Sequence, residues 1–92
     1  MLYPFMTLPD ETEIVHSESV ERGGKECVKV CVEKPVDGGF KSATCWLPDY
    51  RWENVTGYTE QELDILLELI QSLAATIYEL AREGGFEHAT AV

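Results

Sequence analysis

Three cysteines, two histidines and a cluster of acids are the side chains in this 92-residue chain that could do chemistry. Thiolates ligate zinc, and Cys27 and Cys31 stand four positions apart. On a strand that spacing spans about 13 Å, whereas the ligands of one zinc sit within a few ångströms of each other. There is no C-x-x-C spacing either. Cys27, Cys31 and Cys45 are therefore read as small buried hydrophobes. Their odd number argues against a closed disulfide framework and fits the reducing cytosol, so a cytoplasmic location is expected. A histidine next to a carboxylate can begin an acid–base pair, and His16 lies close to Glu18. A part-exposed strand histidine among acids is ordinary surface, however, and His88 falls in the C-terminal tail, where it is expected to be solvated. Asp10, Glu11 and Glu13 crowd one turn and could hold a hard cation, but no EF-hand spacing is present. The glycine pairs are not phosphate loops, because no G-x-x-x-x-G-K-[ST] occurs, and G-x-S-x-G is absent as well. The expectation is a chain that is not an enzyme and uses no metal or cofactor.

A second kind of chemistry is recognition. Trp46, Tyr50, Trp52 and Tyr58 crowd the stretch CWLPDYRWENVTGYTEQEL, just ahead of a predicted helix. Trp46 sits on an expected strand, and Tyr58 is placed to staple the helix start. Tyr50 and Trp52 fall in the strand-to-helix connection beside Asp49, Arg51 and Glu53. They are either a lid on the core or a contact surface, since aromatic residues of this kind anchor protein interfaces. On the helix, Ile65 and Leu69 lie off the main apolar stripe. They either widen the core face or form a seam for a second copy or another protein. Tyr50, Trp52, Glu53, Ile65 and Leu69 are the candidate partner-binding residues.

The elements that must position these residues follow from periodicity and punctuation. Val28, Val30 and Val32 alternate with Cys27, Lys29, Cys31 and Glu33, which predicts a strand over 26–34 with one face inward. Pro35 is expected to end it. A five-residue link, Pro35–Gly39, then leads by a hairpin into a strand over 40–47. On that strand Phe40, Thr44 and Trp46 share one face, and Ala43, Cys45 and Leu47 the other. Upstream, 13–21 reads as a strand joined to the valine strand by Gly23-Gly24, and 3–8 as a first strand. A helix is predicted over 60–83. Thr59 and Glu62 form a capping box, Tyr58 and Leu63 the matching staple, and Glu60, Glu62 and Asp64 favour the positive end of the dipole. Its apolar stripe runs through Leu63, Leu66, Leu67, Ile70, Leu73, Ala74, Ile77 and Ala81. Gly84-Gly85 stops it, with Phe86 expected to fold back on the last turn. The fold class is α+β: an antiparallel meander of three to four strands packed on one long C-terminal helix, in a single domain over 1–92.

The net charge is −10 and unevenly spread. The first 21 residues carry five acids and no Lys or Arg, residues 22–51 carry six bases and four acids, and residues 52–92 carry eight acids and one base. Phosphate backbones attract cationic surfaces, so direct nucleic-acid binding is not expected. An acidic exterior favours solubility and steers basic partners inward. No 18-residue apolar run occurs, so no membrane span is expected. The first residues have no basic start of the kind a secretory signal carries.

The stretch GGFKSATCWLPDYRWENVTGYTEQEL resembles the HicB-type antitoxin domain. It shares a Gly-Gly turn (Gly38-Gly39), a strand ending in Pro48-Asp49, and Gly57 and Thr59 opening a helix with Glu62 in its first turn. The resemblance covers roughly residues 26–84. Tyr50-Arg51-Trp52 replace the small or apolar residue and the Pro-Gly usual there. The resemblance implies a non-catalytic protein that covers the active surface of a small basic RNA-cleaving toxin. The expectation is thus an acidic protein-binding module with a basic protein partner. Two further expectations stay open: an acidic mimic of nucleic acid that inhibits a basic protein, of the kind mobile elements encode, and a self-associating structural protein forming a homodimer.

Overall fold

A computed structural model describes residues 1–84. Six strands precede one helix: β1 (Leu2–Thr7), β2 (Glu13–Ser17), β3 (Val20–Arg22), β4 (Lys25–Val36), β5 (Gly39–Leu47), β6 (Arg51–Thr56) and α1 (Glu60–Glu83). The strands form one antiparallel sheet in the order β1-β2-β4-β5-β6, with β3 pairing to β4 as well. The expected α+β class holds: a meander-like antiparallel sheet packed on a C-terminal helix. Two expectations, a folded-back Phe86 and a solvated His88, lie outside the described residues.

The meander has more strands than periodicity predicts, for local reasons. The segment 13–21 is broken at Glu18-Ser19 into β2 and β3. There the Lys29 N–H donates to the Ser17 hydroxyl at 2.9 Å, so a side chain takes the place of a ladder carbonyl. Gly23 and Gly24 both hold positive φ, 58° and 80°, the pattern a two-residue hairpin turn needs to match strand twist. Pro35 does not end β4; it pairs with Phe40, and the turn shrinks to Asp37-Gly38. Val36 and Gly39 flank that turn as the bonded pair, so alternation points the nitrogen of Pro35 away from β5. It faces the side where β2 has already stopped, and no ladder bond is lost. The aromatic connection is itself a strand. Tyr50, at φ 56°, donates its N–H to the Trp46 carbonyl at 2.7 Å, and the chain reverses into β6.

The helix keeps its predicted bounds. The Glu62 N–H donates to the Thr59 hydroxyl at 3.2 Å, and the Thr59 N–H to the Glu62 carboxylate at 2.9 Å, completing the capping box. At the other end Gly84 adopts φ 84° and donates to the Leu80 carbonyl. Leu66, Ile70, Ile77, Leu80 and Ala81 are buried against Phe5, Ile14, Val28, Val30, Val32, Ala43, Cys45 and Leu47. Each large aliphatic side chain so placed contributes about 1.5–3 kcal/mol. The helix is held at both ends. Lys41 of β5 donates to Glu62 at 2.7 Å. Arg82 grips Glu26 of β4 through two nitrogens, and Tyr78 donates its hydroxyl to the Glu26 carbonyl.

His16 overturns the surface reading. It is fully buried, because it shares the inward face of β2 with Ile14, while Glu18 lies beyond the strand end. Its ring packs near Tyr3 and Phe5, with Nδ1 2.8 Å from the Ser17 carbonyl oxygen. Cys31 also departs from expectation. Cys27 and Cys45 are buried, but Cys31 is half-buried and faces away from the helix.

Candidate functional site

The helix covers one face of the sheet and leaves the other open. Register orders the open face into rows. Lys29 pairs with Trp46, and Trp46 with Arg51. The next row is Val15, Cys31, Thr44 and Glu53, the one after it Glu13, Glu33, Ser42 and Thr56, and beyond that Pro35 pairs with the exposed Phe40. The face thus carries bases at one end, the acids Glu13 and Glu33 toward the other, and the exposed Phe40 beyond them.

The basic end surrounds Trp46. Its ring is half-buried, and its Nε1 donates to the Glu53 carboxylate at 2.8 Å, which fixes the indole plane. The Arg22 guanidinium lies 4.1 Å from the ring centroid and the Lys29 ammonium 6.0 Å, both within cation–π reach. Beside them a groove of about 580 Å³ is lined by Arg22, Lys25, Trp46, Arg51, Trp52 and Glu53 among others. That is the size of a small-ligand cleft.

Pairing singles this end out. Lys25, Lys34, Lys41 and Arg82 each meet an acid, respectively Asp49, Asp10, Glu62 and Glu26. Arg22, Lys29 and Arg51 meet none among the described residues, and all three stand around Trp46. Two of the pairs, Arg82 with Glu26 and Lys41 with Glu62, are also hydrogen-bonded. The Arg82 and Ser19 donors hold the Glu26 carboxyl at about 2, and the Lys41 ammonium together with the Thr59 N–H does the same for Glu62.

Of the residues expected to bind a partner, Trp52 and Glu53 line this groove. Trp52 also packs on the core, as does Tyr50, so both act as a lid. Among the described residues the buried Trp52 Nε1 has no acceptor. Ile65 and Leu69 are elsewhere, on the helix. Ile65 is 69% exposed and borders a separate crevice with Leu8 and Tyr58, while Leu69 is half-buried against the core. Arg22, Lys29, Trp46 and Arg51 were missed by sequence reasoning. Their signal was the basic balance of residues 22–51 in an acidic chain, but Arg22 reaches Trp46 from β3 and Arg51 from β6, two strands that periodicity does not reveal.

The arrangement can hold an anion. No group of three metal-ligating side chains is found among the described residues. No helix there is long and apolar enough to cross a membrane. No family model matches the chain, and no curated protein or solved structure does.

Proposed function

We propose that the protein is a non-catalytic protein-binding module that engages its partner through the open face of the sheet. One observation carries this. In a chain of net charge −10, the three bases without an acid partner among the described residues gather around one half-buried tryptophan. Acids to neutralise them are plentiful, so an arrangement that leaves them free suits an external partner. Tryptophan and arginine are also the residues that most often dominate interface energies.

A second reading keeps the basic partner and the antitoxin-like role implied by the HicB resemblance. It is favoured by Ile65, which stands exposed on a helix side that also bears exposed Asp64 and Glu68. An apolar anchor ringed by acids suits a basic protein surface.

The two surfaces separate in one experiment. The full chain, a Lys29→Glu/Arg51→Glu variant and an Ile65→Lys variant are immobilised, and retained host proteins are identified by mass spectrometry. A protein lost only from the Lys29/Arg51 variant supports docking on the sheet. A protein lost only with Ile65→Lys supports the helix reading. Retention of the same proteins by all three sinks both.

A further inference from the structure

We infer that the Trp46 groove is a receptor for the carboxylates of an acidic peptide segment. This rests on the docking reading above and names the chemistry of the partner. The guanidinium of Arg22 lies over the Trp46 ring, its carbon 4.1 Å from the ring centroid. The Arg22 side chain makes no hydrogen bond or ion pair among the described residues, so its N–H donors are available. A carboxylate accepts such donors two at a time, and a fork already held in place loses less freedom on binding. The indole beneath is itself held by Glu53.

Lys29 and Arg51 extend this receptor to either side. They are the register neighbours of Trp46 on β4 and β6, two strand spacings apart, so their Cα atoms stand about 10 Å from one another. On an extended peptide, side chains at i and i+2 project to one side about 7 Å apart. Two such carboxylates can meet Arg22 with Lys29 at one point and Arg51 at the other, helped by the reach of the basic side chains.

The same geometry selects against a nucleic-acid strand. Single-stranded binding uses successive aromatic faces on which bases stack, and Arg22 already occupies a face of the Trp46 ring. Asp49 and Glu53 are among the lining residues, and they interrupt the basic surface that a continuous run of phosphates would need. A chain of net charge −10 repels a polyanion more than a short peptide with a few acids.

A second copy is the competing occupant, since Glu13 and Glu33 lie toward the far end of the same face. Nothing marks it over a separate acidic segment: both carry carboxylates, and two chains of net charge −10 repel each other.

The test titrates the full chain, followed by tryptophan fluorescence, with a short alternating Glu-Ser peptide, its Lys-Ser counterpart and a single-stranded oligothymidylate, at low and high salt. The Glu-Ser peptide should bind best, with affinity falling as salt rises. Lys29→Gln, Arg51→Gln and Arg22→Ala should each weaken it about tenfold, the loss expected for a charged hydrogen bond. Circular dichroism of each variant checks that the fold is kept. Tighter binding of the oligothymidylate, or no preference for the Glu-Ser peptide, overturns the inference. So does a dimer in sedimentation that Glu33→Lys abolishes. A host partner that needs the open face yet still binds the Lys29→Gln/Arg51→Gln variant overturns the carboxylate receptor while leaving the docking reading intact.

Discussion

At the scale of single residues, alternation sets which face a cysteine takes, and the neighbours on that face set whether it is covered. Val28, Val30 and Val32 face the helix, so Cys31 must face the other way, and the structure finds it half-buried on the open side. The facing of Cys31 was legible in the sequence; the burial of Cys27, which shares its side of β4, was not, since Cys27 is the residue paired with Val20 of β3. Alternation applies equally to His16, whose polarity suggested surface while its spacing from Ile14 placed it inside. Cys45 has the opposite environment to Cys31. It is fully buried on the helix side, and burial pushes its thiol up to about 11. A thiol reagent at mildly alkaline pH should therefore modify Cys31 first. Cys45 should react only as fast as the fold opens, since the thiolate is the nucleophile and is both hidden and disfavoured there. Mass-spectrometric labelling with peptide mapping checks the order. Equal rates at Cys31 and Cys45 would mean that the layer between sheet and helix is not closed.

At the scale of elements, the helix was legible because its signals are local. A capping box, a stripe and a C-terminal glycine all lie within the segment they define. β6 was not legible, because Arg51–Thr56 shows little alternation, leaves every residue but Trp52 exposed, and exists only through its pairing with β5. The joint between β6 and α1 depends on Gly57. Its φ is 81°, and a Cβ built there would come 3.0 Å from Cγ of Lys41, the side chain whose ammonium bonds Glu62. Gly57→Ala adds left-handed strain of roughly 1–2 kcal/mol and pushes on that ion pair. Each kcal/mol corresponds to about 4–8 °C in a domain of this size, so the melting temperature should fall visibly. Gly39→Ala is the control. Its φ is not positive and nothing lies within 4 Å of the added carbon, so its melting temperature should stay close to that of the parent chain. If both variants melt together, the close approach at Lys41 does not constrain the fold.

At the scale of the whole molecule, two electrostatic effects of different range govern the response to acid. The net charge of −10 repels itself over the whole surface, and lowering the pH toward the isoelectric point near 4.4 relieves that repulsion. The second effect is local. Glu26 and Glu62 have their carboxyls lowered from the usual 4.5 to about 2 by Arg82 and Lys41, the two contacts that fasten the ends of the helix to the sheet. Groups with depressed folded values stabilise fully above their unfolded values, and that contribution is lost as pH falls through the folded ones. The window is therefore from about pH 4.5 down to about 2. At low salt, stability should rise as pH falls from 7 toward 4.5 and then drop, because the pairs are lost and a net positive charge takes over. High salt separates the two causes, since it screens long-range repulsion on both sides of the isoelectric point more strongly than bonded contacts. Urea unfolding across this range in high salt should thus show little rise above pH 4.5 but keep part of the drop below it. The double variant Glu26→Gln/Glu62→Gln should be less stable than the parent chain near neutral pH and should lose that residual drop. A parallel drop in parent and variant would place the acid-sensitive contacts elsewhere and leave the helix ends without their electrostatic anchor.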